Sequence, residues 1–350
     1  MKKLLSVLLV LAIMAMGGAA LASEDGYELA LVTDVGNIDD QSFNQSSYEG
    51  MVAFAEANNL TYAYYRPSED SDEARLEQIH TAVDKGAKVV ILPGYLFENA
   101  AAEAQATYPD VNFIVLDTAP AGGAAANTVA ILYQEEQSGF FAGYAAVKDG
   151  YTRLGYIGGM QVPAVIRFGY GFIQGAEVAA AELGVEVELN YWYCDSFSPS
   201  DDIKSKAASW YTEGTEVIFA CGGGIYLSIV AAAEEGNGKV IGVDSDQYHV
   251  SETVITSAMK DLPNSINLAL TRLYENGGVW PEDMAGVTQN LGAADNCVGI
   301  PTAEHSWRFN TFTVDEYNAV YEQVKSGEIS ISNSTDEVPA TTQVSVDFQN

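Results

Sequence analysis

Basic side chains are scarce in this sequence. Sixteen Lys and Arg stand against 48 Asp and Glu, which gives the 350 residues a formal net charge of −32. Polyphosphate backbones are bound by clustered Lys and Arg that release counterions, so this balance excludes nucleic acid as a partner. It excludes docking on an anionic lipid surface for the same reason. Cysteine is rare as well. Cys194, Cys221 and Cys297 show no C-x-x-C spacing, and one disulfide with a spare thiol or three independent thiols both fit. The three histidines, His80, His249 and His305, are scattered and form no H-E-x-x-H, so no metal site is expected. There is no G-x-S-x-G nucleophile elbow. The segment D-V-G-N-I-D-D after the first apolar run is not a dinucleotide fingerprint. No catalytic residue and no cofactor are expected.

Long apolar runs are also missing, except at the start. Residues 1–22 carry Lys2 and Lys3, the apolar stretch Leu4 to Met16, and the A-x-A site Ala20-Leu21-Ala22 before Ser23. The run is shorter than the ~20 residues a spanning helix needs, and the pattern is that of a cleaved signal peptide. It contains no Cys for lipid attachment. The protein is expected to be exported, periplasmic or extracellular, and not anchored by lipid at an N-terminal Cys.

What remains is 48% hydrophobic and 11% aromatic, too apolar for a disordered acidic chain. Short β-branched runs alternate with longer Ala-rich periodic segments. Strands are predicted at Glu28–Thr33, Leu60–Tyr64, Lys88–Leu92, Asn112–Leu116 and Thr128–Leu132. Helices are predicted at Phe43–Asn58, Asp72–Lys85 and Glu98–Tyr108. A second series after Gly150 has strands Arg153–Ile157, Val185–Tyr191, Glu216–Ala220 and Lys239–Val243. Its helices are Val162–Leu183, Ser200–Thr212 and Ile225–Glu235. Apolar strands interleaved with helices mean parallel sheets covered on both faces. Two such series predict an α/β protein of two doubly wound parallel-sheet lobes joined by a hinge. Further on, Thr253–Lys260 reads as a strand, Leu262–Glu275 and Val314–Ser326 as helices, and Glu328–Ser332 as strand-like. Residues Asn333–Asn350 read as a tail or a last edge strand.

Ligands of open parallel sheets bind beyond the carboxyl ends of the strands. Those positions hold Asp34 with the Asx-rich run to Asn44, Pro93-Gly94-Tyr95, Asp117-Thr118, Cys221 to Gly224, Asp244 to Gln247, and Lys260. Carboxylates accept from vicinal hydroxyls, and an aromatic plate such as Phe43 faces a sugar or a heteroaromatic base. One lysine is few cations for a phosphorylated ligand. The set suits a neutral polyhydroxyl or nucleoside-like molecule. Each residue also has a plain reading. Asp39 and Asp40 fit helix capping best, Phe43 fits core or pocket equally, and Arg167 fits a helix surface charge.

These motifs resemble the basic membrane protein family, substrate-binding proteins of ABC transporters, many of which bind purine nucleosides. The resemblance rests on Thr33-Asp34-Val35-Gly36, Asp39-Asp40-Gln41-Ser42-Phe43-Asn44 and Glu49-Gly50. It continues through Gly171-Phe172, Ser196-Phe197, Gly222-Gly223, Ile241-Gly242-Val243-Asp244-x-Asp246-Gln247, Thr256-Ser257-x-x-Lys260 and Gly327-Glu328-Ile329. It implies a type I periplasmic-binding fold with a ligand clamped between the lobes. Lobe 1 is expected at 23–148 plus about 252–282, and lobe 2 at 149–251 plus about 283–350. Phe43 would stack on the base, with Asn44 and Asp117 on base edges. Asp34, Asp244 and Lys260 would hold the ribose, with Gly222 in the glycine turn. Phe168, or else Tyr226, would be the second aromatic wall. The turn Cys221-Gly222-Gly223-Gly224-Ile225-Tyr226 departs from the family's A-G-G-T-G and brings a bulky Tyr near the cleft. The expected partners are a nucleoside and a membrane permease, with the protein a monomer. A sugar or signal receptor of the same fold is the second reading, and an exported nucleoside or glycoside hydrolase the third.

Overall fold

The computed structural model describes residues 27–349. The expected signal peptide lies outside the described residues. The chain forms two parallel-sheet layers, each flanked by helices. The first sheet begins with β1 (Leu29–Val32), β2 (Tyr62–Tyr65), β3 (Val89–Pro93), β4 (Asn112–Leu116) and β5 (Thr128–Tyr133). Between them run α1 (Phe43–Asn58), α2 (Asp72–Asp84) and α3 (Glu98–Thr107). The second sheet is built from β6 (Arg153–Gly158), β7 (Val187–Tyr193), β8 (Val217–Cys221), β9 (Lys239–Asp244) and β10 (Val254–Lys260). Its helices are α4 (Glu135–Lys148), α5 (Pro163–Leu183), α6 (Asp201–Thr212) and α7 (Tyr226–Gly236). The chain ends with α8 (Leu262–Glu275), β11 (Thr288–Leu291), β12 (Val298–Gly299), α9 (Val314–Lys325) and β13 (Val344–Gln349).

The strand order is β11-β5-β4-β3-β1-β2 in the first sheet and β12-β10-β9-β8-β6-β7-β13 in the second. Central strands such as β1, β3 and β8 are buried along their whole length, which is why their sequences are unbroken apolar runs. Helix starts follow local chemistry. Ser71, Ser200 and Thr313 accept from the backbone N–H three residues on, and Thr313 and Glu316 close a capping box. Helix α1 ends at Asn59 in the left-handed region, and α5 at Gly184.

The lobe boundaries differ from those expected. Strand β10 pairs with β9 in the second sheet, although residues 252–282 were assigned to lobe 1. Strand β11 pairs with β5 in the first sheet, although residues 283–350 were assigned to lobe 2. Helix α4, inside the expected first block, packs along α5 of the second lobe. The chain therefore crosses between lobes at Gln134, at Asp261 and between Leu291 and Val298. Backbone bonds from Gln134 N to Leu291 O (2.9 Å) and from Asp261 N to Cys297 O (2.8 Å) tie these crossings into one hinge.

The contact of α4 with α5 is close because glycines on each helix meet the backbone of the other. A Cβ on Gly139 would lie 2.0 Å from the Phe168 carbonyl oxygen, and one on Gly171 would lie 2.1 Å from that of Glu136.

Residues 328–332 are irregular rather than a strand, and the last edge strand is β13, six residues in parallel register with β7. Glu177 of α5 holds its approach. The carboxylate accepts from the N–H groups of Thr342 (2.8 Å), Gln343 (2.9 Å) and Val344 (2.9 Å). Burial pushes its pKa up, but these bonds more than offset that and leave it below the ordinary value. A lowered carboxyl stabilises above its unfolded pKa, and the contribution is lost as pH falls through the native one. Glu177→Ala is expected to speed amide exchange across 344–349 at pH 7 while leaving β6 and β8 protected. Unchanged exchange at 344–349 would mean that Glu177 does not anchor the strand.

Candidate functional site

The site lies between the two sheets, at the carboxyl ends of their strands. In each sheet the chain leaves its first strand on one side and returns on the other, between β1 and β3 and between β6 and β8. Crevices open at such switch points. The crevices face each other and enclose a cavity of about 270 Å³. Asp34, Phe43, Asn44, Asp117, Phe168, Gly222, Asp244 and Lys260 all line it. These are the expected site residues except one. Tyr226 is buried in the second lobe's own core, and its neighbour Leu227 faces the cavity instead. Tyr226 and Leu227 open α7, and one helical residue turns the side-chain direction by about 100°.

Asp117, just after β4, and Asp244, the last residue of β9, have φ of 62° and 64°. A left-handed conformation is uncommon outside glycine, and Asp tolerates it better than most residues. The two lobes thus present an aspartate in the same strained way. Asp34 follows β1. Its Oδ1 accepts from the Gly36 N–H (2.7 Å) and the Asn44 Nδ2 (2.9 Å). Asn44 Nδ2 also donates to Asp40 (3.1 Å), so this amide is committed to positioning two carboxylates. Asp40 caps α1 by accepting from the N–H groups of Ser42, Asn44 and Gln45. Asp39 lines the cavity.

Lys260 stands at the floor of the cleft, 3% exposed. Its Nζ donates to Asp117 Oδ2 at 2.7 Å and lies 3.5 Å from Asp244 and 3.8 Å from Glu135. Burial favours its neutral form, but Asp117, Asp244 and Glu135 together raise its pKa above the ordinary value. The rings of Phe43 and Tyr133 from the first lobe lie 4.6 and 5.5 Å from Nζ and that of Phe168 from the second 5.5 Å, so three aromatic faces surround one ammonium. The lobes also meet beside the cavity. Ser42 Oγ donates to Asp244 (2.7 Å), and Ser245 Oγ and Gln247 Nε2 donate to the Gln41 carbonyl (2.8 and 3.0 Å).

Phe197, Glu135 and Glu136 are not among the expected site residues, although Phe197 falls in the Ser196-Phe197 match. Phe197, in the loop after β7, lines the cavity and sits against Gly159 and Gly222, where a Cβ would meet its ring. The rule that found the other site residues would have found it had it been applied after β7. Glu135 and Glu136 open α4, a helix hidden because it is buried nearly all round and so lacks a polar stripe. Arg167 is no surface charge: its Nε donates to Glu135 Oε2 at 2.6 Å. The three cysteines are free thiols, and Cys221 lines the cavity with its pKa raised by burial. Among the described residues no cluster of His, Cys, Asp or Glu is arranged to hold a metal ion.

Two buried acids make stability depend on pH. Burial lifts Asp34 to about 6 and Glu136 to about 7, from 3.8 and 4.5. An acid raised in the native state stabilises fully below its unfolded pKa, and that contribution is lost as pH rises through the native value. The protein is therefore expected to gain stability as pH falls from 7.5 to 5.5, read as a higher urea midpoint. Asp34→Asn should reduce that gain and leave the part due to Glu136; an equally steep profile in the variant would remove Asp34 as a source.

A family model described as "ABC transporter substrate-binding protein PnrA-like", Bmp, matches residues 27–335. The nucleoside-binding protein BmpA of an ABC transporter in Lactococcus lactis is 29% identical, over 75% of this chain and 74% of its own. Basic membrane protein A of Borreliella burgdorferi is 30% identical over 69% of this chain and 70% of its own. Among solved structures, an ABC transporter solute-binding protein from Aeropyrum pernix superposes with a TM-score of 0.75 at 19% identity, covering 89% of this chain and 94% of that one. The arabinose-binding protein AraP of Geobacillus stearothermophilus gives 0.60 at 12% identity, covering 84% and 99%.

Proposed function

The chain belongs to the Bmp family of PnrA-like ABC transporter substrate-binding proteins, and from that premise we propose that it captures a nucleoside, a purine nucleoside first, in the interlobe cleft and delivers it to a membrane permease. The chain is a binding protein and not an enzyme. The observation that carries the reading is the pairing of Phe43 and Phe168 from opposite lobes around a floor of strand-end carboxylates. Flat rings suit a heteroaromatic base, and Asp34 and Asp244 suit ribose hydroxyls. Asp117 Oδ1 is buried without a hydrogen-bond partner, a free acceptor for a base N–H.

The charge of the cavity agrees with a neutral ligand. Its described lining holds Asp34, Asp39, Asp40, Asp117 and Asp244 but a single cation, Lys260, already paired with Asp117. A phosphate would find no free positive partner. Ligand held by both sheets biases the hinge toward the closed arrangement, which would be the form that docks on the permease. Export through the expected signal peptide would place the protein outside the cytoplasmic membrane, where importers collect solutes.

Thermal unfolding against nucleosides, free bases and sugars tests the reading. At a hundredfold excess over Kd a ligand selective for the native state adds about 2.7 kcal/mol. Guanosine, adenosine or inosine is expected to raise the midpoint. A rise with sugars alone, the class that the fold's arabinose-binding neighbour represents, would replace nucleoside by sugar. No rise with any of them would remove the nucleoside reading.

A further inference from the structure

We propose that Glu135 and Arg167 are a positioning pair that fixes the Lys260 ammonium on the second lobe, independently of Asp117. The ammonium has carboxylates on three sides, and they do not belong to one body. Asp117 follows β4 of the first sheet. Asp244 ends β9, and Glu135 opens α4, both on the second lobe with Lys260 itself. Helix α4 is bolted to β10 and β12, because Ser138 Oγ donates to the carbonyls of Met259 (3.1 Å) and Gly299 (2.9 Å). A rigid-body parting of the sheets takes Asp117 away from Lys260. It leaves Asp244 and Glu135 in place.

Glu135 can serve only if its own charge is supported, for it is fully buried and a buried carboxylate needs a partner. Arg167 supplies it from the second turn of α5 at 2.6 Å. The close glycine contacts of α4 with α5 hold the two helix starts in register. Glu135 then faces Arg167 through Oε2 and Lys260 through Oε1, which has no hydrogen-bond partner of its own. Glu136, beside it, lies 3.9 Å from Arg167 and makes no ion pair with Lys260. The order Arg167, Glu135, Lys260, cavity means that the ammonium is aimed before a ligand arrives, which reduces what binding must order.

The decisive measurement is the ¹H–¹⁵N ammonium signal of Lys260 in ligand-free protein, assigned by its loss in Lys260→Arg. Glu135→Gln is expected to shift this signal or broaden it beyond detection by faster exchange, and Glu136→Gln to leave it unchanged. Should Glu135→Gln not fold, Arg167→Lys is expected to shift the same signal. A signal untouched by Glu135→Gln and Arg167→Lys, or moved equally by Glu136→Gln, would overturn the proposal. The consequence for binding rests on the nucleoside reading. Guanosine affinity should fall roughly tenfold in Glu135→Gln, as the ammonium loses its aim, and hold in Glu136→Gln. If guanosine does not bind the unmodified protein, that reading fails, while the ammonium signal still decides the positioning role.

Discussion

Lys260→Met is expected to destabilise the protein by about 3–5 kcal/mol at pH 7.5, the range for removing one partner of a buried charge pair. Methionine keeps the length and apolar stem of the side chain, so packing is largely preserved and the charge is what changes. Asp117, Asp244 and Glu135 would then face one another across the cleft floor with no ammonium between them. Arg167 neutralises Glu135 alone. Burial already holds the acids of Asp244 and Glu135 above the ordinary carboxyl range. Loss of the cation pushes them further up. Acids raised in the native state stabilise it at low pH and lose that effect as pH rises. The deficit should therefore shrink as pH falls from 7.5 to 5.5. Urea unfolding of both proteins at the two pH values measures it. A variant as stable as the parent at pH 7.5 would mean that the three carboxylates do not depend on Lys260 for their charge balance.

The second large effect is on binding. Base–aromatic stacking contributes about 1–3 kcal/mol per base, so removing one ring face should weaken a nucleoside roughly 5- to 150-fold. Phe43→Leu and Phe168→Leu are the suitable variants. Both side chains belong to the main core cluster, and truncation to Ala would confound lost stacking with a cavity. Calorimetric titration with guanosine reads the effect directly. Each variant is expected to lose affinity by a similar factor, because the two rings come from opposite lobes and would cover opposite faces. Loss in one variant alone would show a one-sided stack, and loss in neither would show that the base is held elsewhere.

The sequence was most informative where chemistry is local. Residues that follow a parallel strand stand at the sheet's open end whatever the rest of the fold does, so Asp34, Asp117, Asp244 and Lys260 could be named from strand ends alone, and all four line the cavity. The capping role of Asp40 was legible too, since a cap bonds only its own helix start. The alternation of apolar runs and periodic segments determined the α/β class and the two lobes. Nothing local could say which sheet β10 and β11 join: β10 is a buried strand that reads the same in either, β11 is polar and half-exposed with no apolar run to mark it, and only the crossings at Gln134, Asp261 and the Leu291–Val298 segment decide it. Helix α4 was silent for a related reason: burial on nearly every side erases the polar stripe that marks a helix.

Direction and partnership were the tertiary structure's to decide. Leu227 rather than Tyr226 faces the cavity because of where one helix begins. Arg167, unremarkable on its own helix, meets Glu135 across 32 positions of sequence through a glycine-lined contact. The sequence by itself determined which chemical groups stand at the strand ends, since backbone direction fixes those positions. The packing of two sheets against a shared hinge decided which of those groups meet, since charges separated by scores of residues pair only when the fold brings them within a few ångströms.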